Sequence, residues 1–142
     1  MYDVAHEALE HYLVEEKNRV LLKGPPVALD PKTALALGIV FHELATNAIK
    51  HGALSNQDGI VEVNWGCNGD GTVALRWQED KGPKVLPPNG TGFGSRLIKL
   101  EMTHELNGEV ELIYDPAGLK VTLGFPLGGH LTATQPKQGI AQ

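Results

Sequence analysis

Residues 30–52 read DPKTALALGIVFHELATNAIKHG and predict the longest helix of the chain. Asp30 is suited to cap a helix, and Pro31 to occupy its first position, where no backbone N–H is needed. Apolar residues then recur at helical spacing as far as Lys50, which predicts a long helix with one broad apolar face. We expect His51-Gly52 to end it, with Gly52 in the left-handed conformation. The apolar positions are Leu35, Leu37, Phe41, Leu44, Ala45, Ala48 and Ile49.

Apolar periodicity on either side of this helix predicts two further helices and five strands. The helices are expected over 2–16 and 95–106, and the strands over 19–22, 61–67, 73–79, 110–114 and 119–125. Hairpins dominate this order, so we expect an α+β fold with a mixed, mostly antiparallel sheet covered on one face by helices. Residues 1–127 are expected to form one domain. Residues 128–142 lack aromatic residues and periodicity, and we expect a frayed tail there.

Composition narrows the classes of function. The chain has 142 residues and a net charge of −5, which argues against a basic nucleic-acid-binding surface. Its one cysteine, Cys67, excludes an internal disulfide framework and a cysteine-based zinc cluster. No apolar run approaches the length of a membrane span, and the N-terminus is acidic, unlike a signal peptide. We therefore expect a cytoplasmic protein without nucleic-acid partners and without direct membrane contact.

Three polar residues of the long helix share one face. Glu43, Asn47 and Lys50 are spaced four and three residues apart and form a row about 10 Å long. A carboxylate, a carboxamide oxygen and an ammonium group in a row suit a hydrated Mg²⁺ ion with a phosphate chain. The alternative is a solvated helix face that carries a Glu–Lys pair.

A glycine-rich segment, GTGFGSRLI at residues 90–98, leads directly into the next predicted helix. Glycines let backbone N–H groups approach phosphate oxygens, and a helix N-terminus adds a positive dipole. The spacing matches neither the dinucleotide-binding fingerprint nor a P-loop. A flexible loop without a ligand is the alternative, and the polar helix face favours the phosphate site.

The end of the second central strand carries a carboxylate on its apolar side. Strand alternation places Glu79 on the same face as Leu75 and Trp77. Because burying an unpaired carboxylate is costly, such a residue needs a partner. The functional interpretation is that Glu79 accepts a hydrogen bond from an exocyclic amino group, such as that of adenine. The alternative is a strand-end glutamate that reaches solvent.

Together these three blocks resemble the ATP-binding domain of the GHKL superfamily and, within it, the HWE histidine kinases. The subfamily's histidine matches His42 in HELATNAIKHGALS, and its Trp-x-Glu motif matches Trp77 and Glu79 in WQE. The resemblance also includes GPPVAL at 24–29, VNW at 63–65 and GFGSRLI at 92–98, and it extends over residues 5–127. It implies a Bergerat fold, a two-layer sandwich with a short ATP lid over residues 81–92.

The resemblance also implies a role for each site residue. Asn47 would ligate Mg²⁺, and Glu43 would lie near the γ-phosphate as the catalytic carboxylate, either as general base or as partner of a metal-bound water. Glu79 would bind the adenine amino group. The other residues of the implied nucleotide site are Lys50, His51, Gly82, Gly92, Gly94 and Ser95.

The sequence departs from the family pattern in two respects. Lys81 occupies a position where a small residue such as glycine is usual. Only 41 residues precede His42 here, and within them neither His6 nor His11 has the context of the family's phosphoacceptor histidine.

We therefore expect the catalytic domain of a larger sensor kinase. It would transfer the γ-phosphoryl group of Mg-ATP to a histidine on the parent's dimerisation domain, and indirectly serve a response regulator. The alternatives are a free-standing GHKL serine kinase of the anti-sigma type and a non-catalytic nucleotide-binding docking module.

Overall fold

The computed structural model describes residues 1–15, 19–85 and 93–127. The α-helices are α1 (Tyr2–Glu15), α2 (Pro31–Lys50) and α3 (Phe93–Leu100). The strands are β1 (Val20–Lys23), β2 (Ile60–Cys67), β3 (Thr72–Asp80), β4 (Glu109–Asp115) and β5 (Gly118–Pro126). A short 3₁₀ turn, Ala53–Ser55, follows α2, and a π-helical turn, Glu101–Glu105, follows α3. No helix in this part of the chain is long and apolar enough to cross a membrane.

The predicted bounds of α2 are confirmed at both ends. Asp30 caps the helix, because its Oδ1 accepts the Thr33 N–H at 2.7 Å, and Pro31 is the first helical residue. The prediction for Gly52 is wrong, since its φ is −115° and not left-handed. A glycine is needed there for a different reason: a Cβ on Gly52 would lie 2.2 Å from Glu79 Oε1.

The five strands form one mixed sheet in the order β1-β2-β3-β5-β4. β1 pairs parallel with β2, and the other three pairings are antiparallel, which confirms the predicted α+β class. The helices cover one face, and the core lies between them and the sheet. Its largest fully buried side chains include Phe41, Leu37 and Leu44 of α2 and Trp77 and Leu75 of β3.

Two residues of the predicted apolar face of α2 lie outside the core. Leu35 is 70% exposed and Ile49 is 36% exposed. The buried stripe is narrower than predicted, and Leu35 lies about half a turn around the helix from Leu37. Leu35 instead borders a surface groove.

The predicted helix over 95–106 is only partly correct. The helix begins earlier, at Phe93, and widens after Leu100 into a π-helical turn in which the Leu106 N–H bonds to the Glu101 carbonyl at 3.2 Å. Along an α-helix, residues four apart drift by about 40°. The wider turn offsets that drift, so Ile98, Met102 and Leu106 are all buried.

The other face of the sheet is largely polar and exposed, although Leu21 of β1 and Ile113 of β4 are also exposed there. Asn64, Arg76 and Thr122 are exposed neighbours across β2, β3 and β5. Cys67, a free and exposed thiol, lies at the last position of β2, paired with Val73 of β3. Glu79 lies on the helical side of the sheet, at the end of β2 and β3 opposite Cys67.

Candidate functional site

The end of α2 and the end of β3 meet at Glu79. Its Oε1 accepts the backbone N–H of Ala53 at 2.9 Å, and its Oε2 accepts the indole Nε1–H of Trp77 at 2.9 Å. The Glu79 residue is only 3% exposed. The alternative interpretation, a strand-end glutamate that reaches solvent, is therefore wrong.

The environment of Glu79 acts on its titration in two directions. Burial raises the pKa of the Glu79 carboxyl above its ordinary value, and this is the larger effect. The hydrogen bonds from Ala53 and Trp77 oppose it, because they favour the ionised form. An ionised carboxylate has about four acceptor positions, so both oxygens keep a lone pair for a further donor.

Arg19 fixes the segment that follows α2. Its Nε donates to the Gly59 carbonyl at 2.9 Å, and its Nη2 donates to the carbonyls of Ala53, at 3.0 Å, and Asn56. Ala53 is thus held through its N–H by Glu79 and through its carbonyl by Arg19. This role could not be predicted from the sequence, because no local pattern signals partners 34 to 40 residues away.

Residues 81–82 turn back over Ala53. A Cβ on Gly82 would lie 2.5 Å from the Ala53 Cα, so this approach requires a glycine. Lys81 has a φ of 58°, in the left-handed region that favours glycine. The structure thus gives a physical reason why a small residue is usual at position 81.

The polar residues of α2 that the sequence singles out differ in their exposure. Glu43 and Asn47 are half-buried, whereas Lys50 and His51 are exposed. Within residues 1–15, 19–85 and 93–127, the side chains of Glu43 and Asn47 have neither a hydrogen bond nor an ion pair. The alternative, a Glu–Lys pair on this face, is therefore absent there. A half-buried amide without a partner is suited to a ligand.

The start of α3 differs in detail from the predicted glycine loop. Since the helix begins at Phe93, Gly94 lies in its first turn, where backbone N–H groups have no intrahelical acceptor. The Ser95 hydroxyl lies 3.2 Å from the Tyr114 hydroxyl of β4. Gly92 and residues 86–91 of the predicted lid lie outside the described residues.

The structure therefore brings one part of the predicted site together. Glu79 and Gly82 converge on the segment immediately after His51, and Asn47 lies one turn earlier on α2. Glu43 lies one further turn back and lines a groove of about 530 Å³ between α1, α2 and α3. The arrangement combines a buried acceptor with a row of oxygen and nitrogen groups.

The chain has relatives among histidine kinases. No family model matches it. It is 34% identical over 134 residues to a blue-light-activated histidine kinase of Brucella ovis, a match that covers 87% of this chain. A counterpart from Brucella anthropi is 35% identical over 113 residues, covering 78% of this chain. The chain spans about a quarter of the length of these relatives, 27% and 23% respectively.

Solved structures confirm the fold class. The histidine kinase domain of the Erythrobacter litoralis EL346 blue-light-activated histidine kinase superposes with a TM-score of 0.70 at 19% identity, covering 87% of this chain and 63% of that one. The chain is thus a homologue of histidine kinases with the fold of their catalytic domains, consistent with a GHKL-type ATP-binding domain of the HWE kind.

Proposed function

We propose that this chain binds Mg-ATP and acts as the catalytic domain of an HWE-type sensor histidine kinase in the cytoplasm. The observation that carries the proposal is the buried Glu79 carboxylate, which lies where the end of α2 meets Gly82 and keeps acceptor capacity on both oxygens. A buried, oriented acceptor is the group that an adenine amino group requires. The homology to histidine kinases supports the same function.

The donor set on α2 fits a magnesium ion. Asn47 offers a half-buried amide oxygen without a partner in the described part of the chain, and Glu43 offers a carboxylate one turn away. Mg²⁺ takes one or two protein oxygens and keeps water and phosphate for the rest, so a cluster of acidic ligands is not needed. When bound, the ion would neutralise charge on the phosphates. Asn47 would hold it, with Glu43 beside the γ-phosphate.

The remaining residues would bind and orient the nucleotide. Lys50 and His51, both exposed beyond Asn47, would contact phosphate oxygens, and Gly92, Gly94 and Ser95 would bind the triphosphate at the start of α3. Phosphoryl transfer depends mainly on positioning and electrostatic stabilisation. A neutral imidazole is already nucleophilic, so little base catalysis is required of Glu43. The acceptor histidine would come from the dimerisation domain of the parent kinase, which then serves a response regulator.

Two measurements test this function. Calorimetry with ATP, with and without Mg²⁺, should show magnesium-dependent binding. Incubation with γ-labelled ATP should give no acid-labile label on this chain alone. Adding the parent's dimerisation domain should restore transfer, weakly, because the effective concentration of a tethered acceptor is lost. A dimerisation domain whose acceptor histidine is replaced by alanine is the matched control.

The outcomes separate the proposal from its rivals. Label on the wild-type acceptor and not on the alanine variant supports a histidine kinase. Nucleotide binding without transfer to that acceptor would indicate a docking module. Stable label on a serine of an added protein would indicate a serine kinase of the anti-sigma type. Absence of magnesium-dependent ATP binding would refute the proposal altogether.

A further inference from the structure

The indole of Trp77 is aimed at the carboxylate of Glu79. The two residues are two apart on β3 and therefore share the face toward the helices. Trp77 is fully buried, and its Nε1–H donates to Glu79 Oε2 at 2.9 Å. Because a buried donor without an acceptor is costly, the pair fixes the orientation of both side chains.

The other oxygen of Glu79 is fixed by the 3₁₀ turn that follows α2. The Ala53 N–H donates to Oε1 at 2.9 Å, and Ala53 is itself held by Arg19 through its carbonyl. One donor on each oxygen sets the plane of the carboxylate, and with it the direction of the remaining lone pairs. A side-chain substitution cannot remove the backbone N–H of Ala53. A substitution of Trp77 can remove the indole N–H.

We propose that Trp77 is a positioning residue for nucleobase recognition: its indole N–H orients Glu79 to accept the exocyclic amino group of adenine. This inference rests on the function proposed above and deepens it. It assigns the choice of base to the Trp77–Glu79 pair. Purine nucleotides that carry an amino group at the ring position of the adenine amino group should bind more tightly than those with a hydrogen or a carbonyl oxygen there.

The second tryptophan of the chain provides a matched control. Trp65 of β2 is also buried and faces the helices, but its Nε1–H donates to the Pro25 carbonyl at 2.8 Å. Glu79 pairs with Val61, so Trp65 lies four residues, about 13 Å, further along β2. Trp65→Phe and Trp77→Phe therefore make the same chemical change at two positions of one sheet, and only Trp77 donates to Glu79.

The experiment compares two nucleotides by calorimetry in the presence of Mg²⁺. One is ATP, and the other is purine riboside triphosphate, in which a hydrogen replaces the amino group. Trp77→Phe should weaken ATP binding by about tenfold and leave binding of the analogue nearly unchanged. Trp65→Phe should leave the ratio of the two affinities at its wild-type value. Urea unfolding of each variant monitors the fold.

A second variant removes only the N–H group. In the Trp65→Phe protein, Trp77 is the remaining tryptophan, because the chain contains two. Biosynthetic replacement of tryptophan by benzothienylalanine then exchanges the indole N–H for sulfur with little change in shape. The preference for ATP should fall by about tenfold, as expected for Trp77→Phe. This measurement does not depend on whether the phenylalanine variant folds.

The results distinguish the inference from the function beneath it. An equal loss of affinity for both nucleotides, or an unchanged ratio in the benzothienylalanine protein, would show that Trp77 contributes packing alone, and nucleotide binding would still stand. Equal affinity of the wild type for the two nucleotides would refute base recognition by Glu79. If the wild type bound neither, the proposed function itself would fail.

Discussion

The left-handed conformation of Lys81 allows a prediction with a defined size. A residue with a side chain in this region costs roughly 1–2 kcal/mol, and Lys81 has a φ of 58°. Glycine removes that cost but loses more backbone freedom on folding, roughly 0.5–1 kcal/mol. The Lys81 residue is exposed, and its carbonyl, which accepts from Asn56 Nδ2 at 3.4 Å, remains. Lys81→Gly should therefore raise the free energy of unfolding by about 0.5–1 kcal/mol.

Urea unfolding measures this change. The midpoint should rise at unchanged slope, and the melting temperature should rise by roughly 2–4 °C. Lys84→Gly is the matched control, because Lys84 is exposed in the same segment and has no positive φ. It should lower stability by about 0.5–1 kcal/mol through the entropy of the unfolded chain alone. A Lys81→Gly protein that loses stability as Lys84→Gly does would refute the strain at position 81.

Three further changes test the site. Burial raises the pKa of the Glu79 carboxyl in the folded state above its ordinary value of 4.5. The carboxyl therefore stabilises the folded state below pH 4.5, and this stabilisation is lost as the pH rises through the raised pKa. The stability difference between wild type and Glu79→Gln should therefore shrink with rising pH in urea titrations, and a constant difference would contradict the burial effect. Asn47→Ala should weaken Mg-ATP binding about tenfold or more in calorimetry while circular dichroism stays unchanged, and unchanged affinity would remove Asn47 from the site. Gly82→Ala should lower the free energy of unfolding by about 1–3 kcal/mol, because its Cβ would lie 2.5 Å from the Ala53 Cα. Gly66→Ala is the control and should not destabilise the fold, because nothing lies within 4 Å of its Cβ. Equal effects of the two changes would refute the contact at Gly82.

Features with local causes could be predicted from the sequence. The bounds of α2 follow from Asp30, Pro31 and the apolar spacing, and all three act within a few residues of the helix. The five strands follow from alternation and from turn residues between them. The side of β3 that carries Glu79 follows from the same alternation, and its burial confirms it.

Features that depend on distant contacts could not be predicted. Gly52 has no room for a Cβ because Glu79, 27 residues away in sequence, lies against it. Arg19 binds carbonyls 34 to 40 residues further along, and nothing in its own segment indicates them. The π-helical turn depends on how Met102 and Leu106 meet the sheet. Each of these is decided by packing between elements.

The position of Cys67 has a practical consequence. It is the one cysteine of the chain, it is exposed, and it ends β2 at the margin opposite Glu79. Six residues separate it from Val61, the partner of Glu79, a distance of about 20 Å along the strand. The native sequence therefore carries a single chemical handle for a maleimide dye or a biosensor surface. A protein molecule tethered through Cys67 would present the Glu79 end of its sheet to solution in one orientation, without any engineered substitution.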